Sequence, residues 1–142
     1  MAVMKMSVAE ITAFLRQEFP QVFSGADFAL ESADGETCLL RQRYSDTMLR
    51  PGGTVSGPTL MALADYAMYA VLLSAIGPVG LAVTTNLNIN FLRKGAPGQD
   101  IFAAAKILKL GKRLAVGEVS LTSGTSPEPI AHVTATYSIP NT

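Results

Sequence analysis

Residues 56–76 read SGPTLMALADYAMYAVLLSAI, and the interpretation of this stretch decides the fold. From Leu60 to Leu73 every side chain is Ala, Leu, Met, Val or Tyr except one, Asp65. A run this apolar needs a water-free home, and a helix suits it best. Ala, Leu and Met are strong helix formers, and no β-branched residue appears between Leu60 and Val71. Ser56 can cap the amino end with Pro58 in the first turn, and Gly77-Pro78 stops the other end. Because apolar residues surround most of its circumference, the helix is expected to be wrapped by other elements. Asp65 and the Gly-Pro break argue against a membrane span.

Ser7 and Glu10 form a capping box ahead of Val8, Ile11, Leu15 and Phe19, which predicts a short helix within residues 1–24, ended by Pro20. Residues 26–34 and 36–44 read as strands joined at Asp34-Gly35. Residues 45–55 form a loop into the central helix, at 56–76. Beyond it lies strand. Thr85, Leu87, Ile89 and Phe91 alternate with Thr84, Asn86, Asn88 and Asn90, which predicts one packed and one polar face. Strands follow at 101–110, 113–121 and 130–139, and no repeat or second domain is evident in residues 1–142. The expected architecture is α+β: an antiparallel sheet curled around one long buried helix.

Composition narrows the class. Lys plus Arg and Asp plus Glu each number 11, so no net field draws the chain to nucleic acid or a membrane surface. With 49% hydrophobic and only 15% charged residues, some apolar surface is expected to be covered by another subunit. The single Cys38 excludes an internal disulfide, which fits a reducing, cytoplasmic setting. One histidine, His132, argues against a zinc site and against histidine-dependent hydration chemistry.

A lone carboxylate in a greasy helix costs several kcal/mol unless it is paired or hydrogen-bonded. Asp65 is therefore either a structural residue satisfied across an interface or a general base or nucleophile. The amino end of the helix, at Gly57, offers free N–H groups and the positive end of the helix dipole to a developing oxyanion. Gly57 and Asp65 are eight residues apart, about 12 Å along the axis, so one carbonyl cannot touch both. If they cooperate, each must come from a different subunit, with two helices antiparallel across a twofold axis.

The blocks SGPTLMALAD, AVTTNLNINFLRKGAPGQD and LKLGKRLAVGEVSL resemble the hot-dog-fold acyl-CoA thioesterases of the phenylacetic-acid-degradation type, from about Thr47 to Tyr137. The resemblance implies thioester hydrolysis. Asp65 would activate water or attack the carbonyl, the Gly57 amide of the facing subunit would polarise the thioester oxygen, and Thr84 would help place the water. It also implies an acyl-CoA partner, a homodimer that pairs into a dimer of dimers, and no cofactor or metal, since coenzyme A belongs to the substrate. The family pattern His-Gly-Gly is Ser56-Gly57-Pro58 here, and Arg50 stands where relatives carry a polar residue such as Asn. Arg50 is then a partner for Asp65, a clamp for an acidic acyl group or phosphate, or a solvated loop arginine. Arg93, Lys94, Lys112 and Arg113 are candidates for the coenzyme A phosphates or an ordinary solvated rim; Tyr69 and Met61 are candidates for the acyl pocket or simply core. The alternative activity is non-catalytic binding of acyl-CoA or another acyl ligand.

Overall fold

The computed structural model describes residues 4–140. Helix α1 (Val8–Glu18) begins at Ser7 with both halves of the capping box made, and Ile11 and Leu15 are its buried residues. The helix ends just ahead of Pro20, as expected, and Pro20 then opens a further turn, α2 (Pro20–Phe23), because proline is well tolerated at a first helical position. Strands β1 (Phe28–Ala33) and β2 (Thr37–Gln42) are slightly shorter than the sequence predicts. They meet at the expected turn, where the Asp34 carboxylate accepts from the backbone N–H groups of Glu36 and Thr37 and Gly35 adopts φ 93°. The loop ahead of the long helix contains a 3-10 turn at Asp46–Met48, too short to show in any periodic pattern.

The long helix, α3 (Gly57–Ile76), has Ser56 as its N-cap, with the side chain accepting from the Thr59 N–H. Gly77, at φ 92°, donates its N–H to the Leu73 carbonyl and closes the helix. After it run β3 (Val83–Phe91), β4 (Ile101–Leu110), β5 (Leu114–Ser123) and β6 (Pro129–Ser138). All neighbours are antiparallel, in the order β1-β2-β4-β5-β6-β3.

The sheet curls over α3, which is long and apolar enough to cross a membrane yet is the core helix: Leu63, Ala64, Ala67, Met68 and Ala70 to Leu73 are fully buried. The facing strands contribute Leu40, Ile101, Ala103, Ala115, Val119, Leu121, Ala131 and Val133 at 0% exposure. Small residues on both sides let helix and sheet approach closely, which is how interiors reach crystal-like density.

One strand departs from the simple alternation. The β3–β6 register shifts between Thr84 and Asn86, where Thr84 pairs with Tyr137 and Asn86 with Thr136. An extra residue in one strand turns the side chains on one flank of it to the opposite face. Leu87 and Ile89 face the helix as expected, but on the other side of the bulge it is Thr84, not Thr85, that points at α3. Strict alternation had assigned Thr84 to the polar face. Phe91 lies at the open end of this edge strand and is 54% exposed.

Candidate active site

Asp65 lies two turns into α3, and its carboxylate is held from the sheet. Thr84 Oγ1 and Tyr137 OH both donate to Oδ1, the latter at 2.8 Å, and the Tyr137 hydroxyl also lies 3.0 Å from the Asp65 carbonyl oxygen. Because Thr84 and Tyr137 are cross-strand partners, the two donors arrive from one point of the β3–β6 ladder. Oδ2 has no hydrogen-bond partner among the described residues, and it is not among the buried unpartnered atoms. The carboxylate opens into a cavity of about 330 Å³ lined by Glu18, Phe19, Tyr66, Tyr69, Thr84 and Tyr137, among others.

The cavity is aromatic. Tyr69 stacks on Tyr137 with ring centroids 6.0 Å apart and an interplanar angle of 11°, and Tyr66 meets Phe19 edge-on at 5.6 Å. Burial, then the nearby Asp65 charge, pushes the Tyr137 phenol well above its ordinary range, and the same two causes in the same order raise Tyr66. Tyr69 is raised by burial and then by Glu18. These hydroxyls stay protonated and can donate throughout the neutral range.

Gly57 opens into a different cavity, of about 620 Å³, with Arg50, Thr54, Phe91, Arg93 and Lys94 in its walls. The loops around it are tied together: Val55 N–H donates to the Gly95 carbonyl at 3.1 Å and Ser56 N–H to the Met48 carbonyl at 2.8 Å. No acceptor takes the Gly57 N–H among the described residues. Phe91 crowds this position: a Cβ at residue 57 would stand 3.0 Å from Phe91 Cζ, and the ring would have to shift to admit it.

The other predicted positions divide. Tyr69 lies in the Asp65 cavity, whereas Met61 is 42% exposed and lines neither cavity. Ser56 spends its hydroxyl on the helix cap, and Pro58 is exposed outside both cavities. Arg50 sits with Gly57, because an Arg50 N–H to Thr54 carbonyl bond and a Leu49–Val55 bridge hold its loop at the amino end of α3. Pairing with Asp65 inside one chain is thereby ruled out.

Arg93 and Lys94 line the Gly57 cavity, and Arg93 is engaged by Glu128 at 2.8 Å and by the Pro129 carbonyl at 2.8 Å. Lys112 and Arg113 lie at the opposite end of the sheet, the ten-residue strand β4 and roughly 30 Å away. The four do not form one basic cluster within a protomer. His132 faces Glu118 at 2.9 Å on the outer surface of the sheet, an ordinary cross-strand pair. Among the described residues, no group of three or more His, Cys, Asp or Glu is placed to hold a metal ion.

The residue that the sequence reading missed is Tyr137. Its signal was present: Ala131, Val133, Ala135 and Tyr137 alternate onto the buried face of β6, and a buried phenol needs a hydrogen-bond partner.

A profile of the thioesterase superfamily matches residues 52–130, more than half of the chain and the part that holds α3 with Gly57 and Asp65. The chain belongs to the thioesterase superfamily. It is a thioester hydrolase with the hot-dog fold, as its resemblance in sequence had led us to expect. The crystal structure of a candidate thioesterase from Silicibacter sp. TM1040 is 40% identical and superposes with a TM-score of 0.88, over 97% of this chain and 94% of that one. Acyl-coenzyme A thioesterase 13 of Mus musculus is 29% identical over 132 residues, 87% of this chain and 93% of the mouse protein. The E. coli PaaI protein from the phenylacetic acid degradation operon is 22% identical with a TM-score of 0.72, over 92% of this chain and 90% of its own, and it shares the fold. The matched residues end at Ile130 and do not include Tyr137.

Proposed function

We propose that this thioesterase hydrolyses acyl-CoA thioesters at sites shared between two protomers. The observation that carries the reading is the Asp65 carboxylate, braced through Oδ1 and open to a cavity through Oδ2. The similarity to a mouse acyl-coenzyme A thioesterase supports the choice of thioester.

Edge strand β3 supports the shared site. Thr84, at one end, touches Asp65, and Phe91, at the other, covers Gly57. Antiparallel pairing of two such edges would bring Gly57 of the partner subunit beside Asp65, and it would carry the partner's Arg93 and Lys94 toward Lys112 and Arg113. The edge has the surface for it: Leu81, Val83, Phe91 and Leu92 are 79%, 56%, 54% and 50% exposed. Unpaired strand edges and contiguous apolar patches are characteristic of surfaces that another chain covers. Two dimers can pair further through the outer sheet faces, where Asn86, Asn88 and Asn90 are exposed.

In this arrangement Asp65 Oδ2 takes a proton from water as the water oxygen attacks the thioester carbon. The carbonyl oxygen gains negative charge opposite the N–H of Gly57 of the partner subunit, at the positive end of its helix. Thr84 donates to Asp65 and keeps its lone pairs for the water. The C–S bond then breaks, the proton on Asp65 passes to the thiolate, and acid and free coenzyme A leave. In the covalent alternative Asp65 Oδ2 attacks the thioester carbon, the C–S bond breaks to leave an anhydride and the coenzyme A thiolate, and water cleaves the anhydride to free acid and Asp65, its spare proton passing to the thiolate.

Thiol release from short, long, aromatic and dicarboxylic acyl-CoAs tests the reading. Multiple turnovers are expected with at least one class, and Asp65→Asn, which preserves shape, lowers kcat by about 100-fold or more. Binding without turnover, or an Asp65→Asn protein that hydrolyses normally, rejects it.

A further inference from the structure

We infer that Tyr137 is a positioning residue that selects which oxygen of Asp65 meets the water, an inference that rests on Asp65 being the base of the hydrolysis proposed above. A carboxylate presents two equivalent oxygens and can rotate to exchange them. Here the symmetry is broken. Oδ1 accepts from Thr84 and Tyr137, while Oδ2 takes no protein donor among the described residues. An oxygen that already accepts two hydrogen bonds is the poorer base, so the proton goes to Oδ2, on the cavity side.

Thr84 gives Oδ1 one donor and makes no bond to the α3 backbone among the described residues. Tyr137 supplies what Thr84 lacks. It is 4% exposed, comes from the interior strand β6, and has its ring clamped by the stacked Tyr69. Tyr69 is itself tied by a bond from its hydroxyl to the Val79 carbonyl at 3.3 Å. The Tyr137 O–H also approaches the Asp65 backbone carbonyl, so it registers both the helix and its side chain against the sheet. Burial, then the Asp65 charge, raises its ionisation range, which keeps the donor proton in place through the neutral range.

The test compares Tyr137→Phe with wild type and with Asp65→Asn in the thiol-release assay, on the acyl-CoA that wild type turns over best. Tyr137→Phe keeps the ring and its stacking on Tyr69. The expected result is a kcat lowered by about 10- to 100-fold, the range for a lost hydrogen bond to a charged group, with KM within about twofold. Wild-type kcat in Tyr137→Phe, or a loss confined to KM, overturns the inference while an inert Asp65→Asn leaves the hydrolytic reading standing. Normal turnover by Asp65→Asn instead removes the reading on which the inference rests. A measurement that does not depend on removing the hydroxyl uses 3-fluorotyrosine placed at position 137 of the full chain. Its fluorine resonance is expected to move when Asp65 is replaced by Asn, and a resonance that stays put overturns the contact.

Discussion

Gly57 and Asp65 share one face of α3, two turns apart, and open into separate cavities. No bending of a single protomer brings them to one carbonyl, since the helix that joins them is rigid and buried along most of its length. The separation yields a prediction that a one-chain site does not share.

Protomers carrying Asp65→Asn and protomers carrying Gly57→Val are each expected to be inactive as homodimers, the second because its side chain collides with Phe91 and blocks the free N–H. Mixed dimers hold one site with both groups intact. Equal mixing under conditions that exchange subunits should therefore restore about a quarter of wild-type thiol release, half the dimers being mixed with one of two sites competent. Activity that stays at the level of the parents sinks the shared site.

Packing of the helix against the sheet depends on Gly117. A Cβ there would lie 2.6 Å from Met68 Cε and 2.8 Å from the Lys106 carbonyl oxygen, and Met68 is fully buried. Gly117→Ala is expected to destabilise the fold by about 1–3 kcal/mol, the usual cost of overpacking. Gly25→Ala, which meets nothing within 4 Å, should be close to neutral. Urea unfolding of the two variants reads the difference; equal midpoints would remove the close-packing argument.

The legible parts of this molecule were those where one residue type carries one meaning. Leu, Ala and Met between a Ser cap and a Gly-Pro stop specify a buried helix with little ambiguity, and Asp65 stood out because a charge in such a helix needs a cause. Thr84 was named as a site residue, yet its face was misassigned, since a bulge between Thr84 and Asn86 leaves no mark in an alternating pattern. Tyr137 was hidden for the opposite reason: tyrosine is an ordinary strand residue, and only its hydroxyl, aimed at a helix 72 residues away in sequence, gives it a task. The basic residues from Arg93 to Arg113 looked like one cluster because sequence distance conceals the full strand between them.

Thr84 carries a prediction about chemistry rather than fold. Thr84→Ser retains the donor and should keep kcat within about threefold, whereas Thr84→Val keeps the shape without the hydroxyl and should lower kcat about 10-fold or more. Both are compared in steady-state thiol release. A valine variant as fast as the serine variant would mean that the hydroxyl does nothing for Asp65.

Cys38 supplies a pH dependence that is independent of the active site. The thiol is 3% exposed, its Sγ donates to the Ala67 carbonyl at 3.3 Å, and burial pushes its pKa from 9.0 up to about 12. An unfolded chain therefore loses this proton near pH 9, while the folded chain keeps it until about 12. Over that interval the unfolded state binds fewer protons, so stability falls as pH rises, with a slope approaching ~1.4 kcal/mol per pH unit from this group alone. Below pH 9 its contribution is fully present. Chemical unfolding of wild type and Cys38→Ala between pH 8 and about 11 should show the wild type declining more steeply, even if the alanine protein starts lower because of the small void it leaves. The same burial predicts that alkylation of Cys38 at pH 8 tracks global unfolding. Rapid labelling of the folded protein would mean that the thiol reaches solvent by a local opening of β2 away from α3, contrary to its place in the core.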